Sequence, residues 1–316
     1  MKTQKIYRAI FMGTPGFAVP ILQTLIDHPQ IEVVSVVTQP DKKTGRGKTM
    51  KESEISKLGF TNNIEVRKPE RIKKNPKLLD QIKELGLDFI VVAAYGKILP
   101  KKILDIPKFG TLNIHGSILP RYRGASPVSE AILNGDKQTG VTLMKMDETM
   151  DTGPIISTSE VIKIDPTDTT ATLSKKLSNL GAKLLNESIV PYLEGELTPK
   201  SQNDGLASYT KLVSKTDGQI NWQMDANYIE RQIRAYTPWP STYTFWGDKR
   251  IKVLEGKTTT LPDNLKPGEI SNDGDLIIGT NESALKVTKL QLEGKGSVSG
   301  NEFLRGYPEI IGQTLE

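Results

Sequence analysis

Cysteine is absent from this 316-residue chain, which excludes disulfides, thiolate metal sites and a cysteine nucleophile together. Histidine is almost as scarce, with only His28 and His115. Two imidazoles and no thiolate are too few soft ligands for a zinc centre, so no metal is expected. No apolar run approaches the length of a membrane span, and Met1-Lys2-Thr3-Gln4-Lys5 lacks the core of a signal peptide. The expectation is a cytoplasmic protein with no membrane partner. Internal repeats and low-complexity tracts are also missing. The length is enough for two domains, each with its own core.

The formal net charge of +5 is unevenly spread. Residues 1–205 carry 29 Lys/Arg against 23 Asp/Glu, whereas residues 206–316 carry 13 against 14. Within the first part, residues 42–102 hold 16 basic and 7 acidic side chains, a local excess suited to a polyanion.

Two patterns of residues divide the chain. In the first, apolar strands alternate with helices. Ile6 to Met12 is an apolar run broken by Gly13-Thr14-Pro15-Gly16, and Phe17, Ile21, Leu22, Leu25 and Ile26 then line one face of a helix. Ile31 to Val37 and Phe89 to Ala94 read as buried strands. Between them Asn75-Pro76 supplies a cap and first residue for a helix that Gly86 ends. Leucines from Leu173 to Leu185 repeat at helical spacing, with Pro191 near the end of that helix. Such βαβ alternation predicts an α/β fold, a doubly wound, mostly parallel sheet covered by helices on both faces. Residues 196–210 are polar and turn-rich. A helix capped by Asp225 follows, and then short strands joined at Gly247-Asp248 and Asn272-Asp273-Gly274 predict a smaller β-barrel. The expected divisions are residues 1–200, a linker over 201–210, and residues 211–316.

The chemistry concentrates in Asn113-Ile114-His115-Gly116-Ser117 and Asp151-Thr152-Gly153. Imidazole titrates nearest neutrality, and His28 beside Pro29 reads as a helix end, so acid–base work falls to His115. An amide beside an imidazole suits a developing oxyanion, and a nearby carboxylate such as Asp151 favours the charged ring and can accept a proton. This set needs no protein nucleophile. If two substrates are held together, it suits acyl transfer without a covalent enzyme intermediate. Gly13-Thr14-Pro15-Gly16 lacks the third spaced glycine of a dinucleotide loop. Asp151-Thr152-Gly153 is a single copy of a triplet that aspartic proteases use in pairs. Arg121 and Arg123 read equally well as solvated loop charges, and Trp222, Trp239 and Trp246 as core or corner residues.

The run Asn113-Ile-His-Gly-Ser-Ile-Leu-Pro-Arg-Tyr-Arg-Gly-Ala-Ser-Pro127, followed by Asp147-Glu-Thr-Met-Asp-Thr-Gly153, resembles the 10-formyltetrahydrofolate-dependent formyltransferases. Phe11-Met-Gly-Thr-Pro-Gly-Phe17 and Ala93-Ala-Tyr-Gly-Lys-Ile-Leu-Pro100 fit the same family. Thr38-Gln-Pro-Asp41 leading into Gly45-Arg46-Gly47-Lys48, the stretch Tyr209 to Lys215, and Ile233-Arg-Ala-Tyr-Thr-Pro-Trp-Pro240 are similar to members acting on methionyl-tRNA. The resemblance implies a Rossmann-like catalytic domain, an OB-like second domain that binds tRNA, and 10-formyltetrahydrofolate as co-substrate. It implies that Asn113 and His115 polarise the formyl carbonyl while Asp151 positions His115 and assists proton removal. Ser117, Ile118, Leu119 and Pro120, with the main chain of Lys97, Ile98 and Leu99, would contact folate. Arg46, Lys48, Lys211 and Lys215 would meet the initiator tRNA. The protein is expected to be a monomer. Open alternatives are an amino sugar on a nucleotide as acceptor, hydrolysis of formyl-folate, and a non-catalytic RNA-binding protein. The balance of −1 over residues 206–316 departs from the basic face that the family's second domain presents.

Overall fold

In the computed structural model, which describes residues 5–44, 49–272 and 274–316, the first half builds a seven-stranded sheet. Its strands are β1 (Tyr7–Gly13), β2 (Ile31–Val37), β3 (Glu65–Arg67), β4 (Phe89–Ala93), β5 (Thr111–His115), β6 (Thr142–Lys145) and β7 (Ile155–Thr158). Their order is β7-β6-β5-β4-β1-β2-β3. The five strands from β3 to β5 are parallel, and β6 and β7 add antiparallel to one side. Phe89-Ile-Val-Val-Ala93 is buried at every position, as a central strand covered on both faces requires. The chain builds outward from β1 through β2 to β3, then returns to build β4 and β5 on the other side of β1. That reversal makes a crevice beyond the carboxyl ends of β1 and β4, the usual ligand position in such sheets.

The helices of this half are α1 (Val19–Asp27), α2 (Glu54–Thr61), α3 (Pro76–Glu84), α4 (Lys101–Leu104), α5 (Pro127–Leu133) and α6 (Thr170–Leu193). Local chemistry sets their ends. The Asn75 side chain accepts from the Leu78 N–H, with Pro76 in the first turn of α3, and Ser53 caps α2 in the same way through Ser56. Pro191 lies in the last turn of α6 without ending it.

The second half forms an antiparallel sheet behind α7 (Ala226–Ala235), whose cap is the Asp225 side chain on the Asn227 N–H. Its strands are β8 (Thr242–Trp246), β9 (Lys249–Thr259), β10 (Ile270–Asn272), β11 (Leu276–Gly279), β12 (Ala284–Leu292) and β13 (Ser297–Ser299), in the order β8-β9-β12-β11-β10 with β13 beside β12. Among the described residues, no two regular strands close this sheet into a barrel. Closure comes from the irregular stretch 312–316: Glu316 and Phe245 exchange both main-chain hydrogen bonds at one edge, while Leu315 donates to Gly268 and Gly312 to Ile270 at the other. Ile229 and Ile233 of α7 pack with Ile251, Val253, Ile278, Leu285 and Leu290 in the interior. Phe303 of α8 (Gly300–Gly306) completes that core, and a reciprocal Ser299–Glu302 capping box begins α8. Trp222 belongs to this core and donates to Thr244 Oγ1, but Trp239 is 54% exposed, so the expectation of core or corner packing fits the first better than the second.

Contacts group the chain into two compact units. One holds Met1–Pro127, Gln138–Ile162 and Ser174–Thr210, and the other holds Val128–Lys137, Lys163–Leu173 and Lys211–Glu316. Within the second, Arg231 Nε donates to the Leu133 carbonyl, Thr170 Oγ1 to Ala235 and Arg234 Nη1 to Asp168. Among the described residues, no helix is long and apolar enough to cross a membrane.

Candidate active site

Asn113 and His115 occupy alternate positions of β5, so the period of the strand puts both side chains on one face. Their main chain pairs with Met144 and Thr142 of β6. Both are almost fully buried. Buried polar groups of this kind need partners. His115 Nε2 lies 2.9 Å from the Tyr122 carbonyl oxygen. A carbonyl only accepts, so Nε2 carries a proton and Nδ1 faces the other side. There the carboxylate of Asp151 stands 3.7 Å away. Asn113 Nδ2 donates to the other oxygen of that carboxylate at 3.5 Å, and the Gly124 N–H donates to Asp151 Oδ2 at 2.8 Å. The three residues singled out from the sequence therefore meet, with Asp151 between the amide and Nδ1.

Asp151 arrives on the loop 146–154 between β6 and β7. The loop folds on itself, since the Asp147 carboxylate accepts from the Thr149 N–H and from both Thr149 and Thr152 hydroxyls. At Gly153 an added Cβ would meet the Lys145 carbonyl oxygen. Three non-glycine residues with positive φ gather at this edge of the sheet: Ala94 at +48°, Tyr122 at +60° and Asp151 at +56°. Each costs about 1–2 kcal/mol of backbone strain, which the surrounding bonds offset.

The segments expected at the folate flank this cluster. Ser117 Oγ donates to the Arg121 carbonyl, and Thr142 Oγ1 links the Ser117 carbonyl to the Leu119 N–H. Leu119 is buried, while Ile118 and Pro120 are half-buried. Beyond β4, Lys97 Nζ donates to the Pro69 and Glu70 carbonyls, Leu99 enters the core, and Ile98 is 61% exposed. The buried Tyr95 hydroxyl is held neutral, its pKa pushed up to about 12 by burial. Among the described residues, no group of three or more His, Asp or Glu side chains could hold a metal ion.

Arg123 is not a solvated loop charge. It is 1% exposed, and its guanidinium donates to Gln202 Oε1, Asp204 Oδ1 and the Tyr209 hydroxyl. Burial lowers its pKa, but the bonds to Asp204 and Tyr209 outweigh that and leave it raised. The turn-rich residues 200–210 lie against the site loop. Tyr209–Thr210 pair in parallel with Arg123–Gly124, Ser208 Oγ accepts from the Tyr122 N–H, and Thr210 Oγ1 accepts from the Ser126 N–H. Sequence reasoning missed Gln202 and Ser208, because isolated polar residues in a turn-rich stretch carry no periodic signal.

Of the residues expected at tRNA, Arg46 and Lys48 lie outside the described residues. The strands before and after them in sequence, Lys42–Thr44 and Thr49–Lys51, pair antiparallel as the arms of a small hairpin. Lys68 Nζ bridges the two ends of that hairpin, 2.9 Å from Asp41 Oδ1 and 2.9 Å from Glu52 Oε1. In the second unit Lys215 is exposed, whereas Lys211 Nζ is 2.5 Å from Asp217 Oδ1. Over β8 and β9, Arg250 stacks 3.7 Å above the Tyr243 ring and Lys249 5.0 Å above Trp246, a cationic edge within a near-neutral domain.

The Lys211 ammonium and the Ser214 N–H hold the Asp217 carboxyl at about 2, below its ordinary 3.8. A depressed carboxyl pKa contributes stability that is complete above 3.8 and lost as the pH falls through about 2. Asp217→Asn is therefore expected to lower the denaturation midpoint at neutral pH, with the difference from wild type shrinking between pH 3.8 and 2. Urea titrations across that range measure it, and a pH-independent difference would dismiss the ion pair as its source.

The chain belongs to the formyl transferase family: residues 7–189 match the formyl transferase domain, and residues 212–308 match the formyl transferase C-terminal domain. Its relatives include methionyl-tRNA formyltransferases. That of Caldanaerobacter subterraneus subsp. tengcongensis is 42% identical over 95% of this chain and 97% of its own length. That of Thermodesulfovibrio yellowstonii is 44% identical over 94% and 95%. In fold, the chain is similar to an N-formyltransferase from Helicobacter canadensis solved with folinic acid and dTDP-3-aminofucose, with a TM-score of 0.66 and 21% identity over 89% of this chain and 98% of that one. Glycinamide ribonucleotide transformylase 1 from Symbiobacterium toebii gives a TM-score of 0.52 at 18% identity over 63% of this chain and 95% of that one.

Proposed function

We propose that the chain transfers the formyl group of 10-formyltetrahydrofolate to the free amino group of initiator methionyl-tRNA, as a cytoplasmic monomer. The observation that carries the chemistry is the convergence of the Asn113 amide and His115 Nδ1, a donor when both ring nitrogens are protonated, on one negatively charged oxygen-bearing group. Donors so aimed suit the formyl oxygen as it gains charge in the transition state. The acceptor amine is the nucleophile. A bond forms between its nitrogen and the formyl carbon as the bond from that carbon to the folate nitrogen breaks. Asp151 takes the proton that the amine loses, directly or through water, and that proton returns to the departing folate nitrogen, so the carboxylate is regenerated. The tether from Nε2 to Tyr122 keeps the ring oriented throughout.

Ser117 to Pro120 and the main chain of Lys97 to Leu99 are the proposed folate contacts, and exposed Ile98 offers an apolar surface that a flat ring system would cover. The chemistry is assigned to residues 1–200, the connection to 201–210, and tRNA binding to 211–316 with help from Arg46 and Lys48. The lysines at 211 and 215 flank the start of that last segment.

Purified protein supplied with 10-formyltetrahydrofolate tests the proposal, with methionyl-tRNA, a nucleotide-linked amino sugar, or water alone as acceptor. Transfer to the tRNA is expected. Faster transfer to the sugar amine, or release of formate without tRNA formylation, would overturn it. Arg46→Ala is expected to raise KM for methionyl-tRNA about tenfold and to reduce the salt slope of tRNA binding by about one. Folate affinity should stay unchanged, and an equal loss for both substrates would reassign Arg46 to fold support.

A further inference from the structure

We propose that Gln202 is a positioning residue for the reaction, holding the Asp151 loop against His115 from a segment 51 residues away in sequence. This rests on the function proposed above. The Gln202 amide is used at both ends. Its Nε2 donates to the Asp151 carbonyl at 2.8 Å and to the Gly153 carbonyl at 2.7 Å. Its Oε1 accepts from Arg123 Nε at 3.0 Å and from Arg123 Nη2 at 2.9 Å. One side chain thus joins the two loops that supply His115 with its partners. The loop at 151–153 brings the carboxylate facing Nδ1, and the loop at 122–124 brings the carbonyl that accepts from Nε2.

Several other bonds around the site fix each loop by itself. Asp147 and the two threonines shape the Asp151 loop internally. Ser208 and Thr210 fix Tyr122 and Ser126. The two loops are joined by the Gly124 N–H to Asp151 Oδ2 and by the relay through Gln202 and Arg123. Asp151 is also in the left-handed region, at φ +56°. Two hydrogen bonds onto the carbonyls at 151 and 153 brace that turn from outside the loop. Arg123 supplies the rigid end. Its planar fork is buried and anchored on Asp204 and Tyr209, and a guanidinium offers the paired donors that a carboxamide oxygen can accept together.

Two substitutions separate anchoring from positioning. Gln202→Glu keeps acceptors for Arg123 but cannot donate to the carbonyls of Asp151 and Gly153. Gln202→Met keeps the length and removes both functions. A displacement of about 1 Å at a catalytic group costs on the order of 100-fold in rate, so both variants are expected to lose about 10- to 100-fold in kcat. KM for methionyl-tRNA and the affinity for folate should stay within about threefold, because transition-state alignment is what is lost. Having only two histidines makes the geometry directly observable. Imidazole resonances in the full-length protein divide into His28 and His115, and His115→Ala assigns them. In both variants the His115 ring signals should shift while those of His28 stay fixed. Wild-type kcat in Gln202→Glu, or an unmoved His115 signal in Gln202→Met, would overturn the proposal. If the wild-type protein formylates no methionyl-tRNA, the functional reading fails by itself. The histidine spectra then still decide whether Gln202 positions the cluster.

Discussion

His115→Ala is expected to lower the single-turnover rate of formyl transfer about 100- to 1,000-fold, the usual cost of one oxyanion donor. Affinity for an unreactive folate analogue should stay within about threefold, since this donor acts on charge that develops only in the transition state. Asn113→Ala should lose a comparable factor. Because both donors meet at the same Asp151 carboxylate in the free protein, they are expected to serve the same oxygen during reaction. The double variant should then fall well short of the product of the single losses. Rapid-quench transfer measured beside equilibrium folate binding checks all three proteins. Near-wild-type rates in either single variant would remove that side chain from the chemistry.

Gly153→Ala is expected to be the most damaging single methyl group in the amino-terminal sheet. Its Cβ would meet the main-chain oxygen of Lys145, which cannot rotate aside as a side chain can. Moving either strand end breaks the hydrogen bond from the Lys145 N–H to the Pro154 carbonyl and carries Asp151 away from His115. A loss of about 2–4 kcal/mol in stability is expected, within the range for strained backbone positions, together with loss of most formyl transfer. Gly296→Ala is the control, since nothing lies within 4 Å of a Cβ there. Thermal unfolding of the two variants beside wild type measures the difference. Equal midpoints for Gly153→Ala and wild type would mean that the loop relaxes without cost.

The features legible in the sequence are those written over a few adjacent residues. The Asn75-Pro76 cap, the buried run from Phe89 to Ala93 and the Asp225 cap each follow from local sterics or hydrogen bonding, and each stands where its residues predict. The scarcity of histidine drew attention to His115, and alternation along a strand was enough to pair it with Asn113. Other features depend on distant partners. Arg123 is buried because Gln202, Asp204 and Tyr209 return to it some 80 residues later, so its own neighbours gave no hint. Closure of the second sheet by Gly312 to Glu316 was hidden for a related reason. That stretch lacks strand alternation, and its bonds run to two edges that its sequence does not mention.

The interleaving of the two units along the chain bears on how the protein is made. Residues 128–137 and 163–173 leave the ribosome well before their partners on α7, and Arg231 follows Leu133 by 98 positions. At about 5–20 residues per second, this is a delay on the order of 5–20 s. During that interval α5 and the start of α6 are synthesised but lack the groups that complete them. The nascent polypeptide therefore passes through a window in which most of the parallel sheet can assemble while two of its excursions wait. Slow codons placed between residues 140 and 230 would lengthen that wait. Chaperone engagement should concentrate on chains stalled in that stretch.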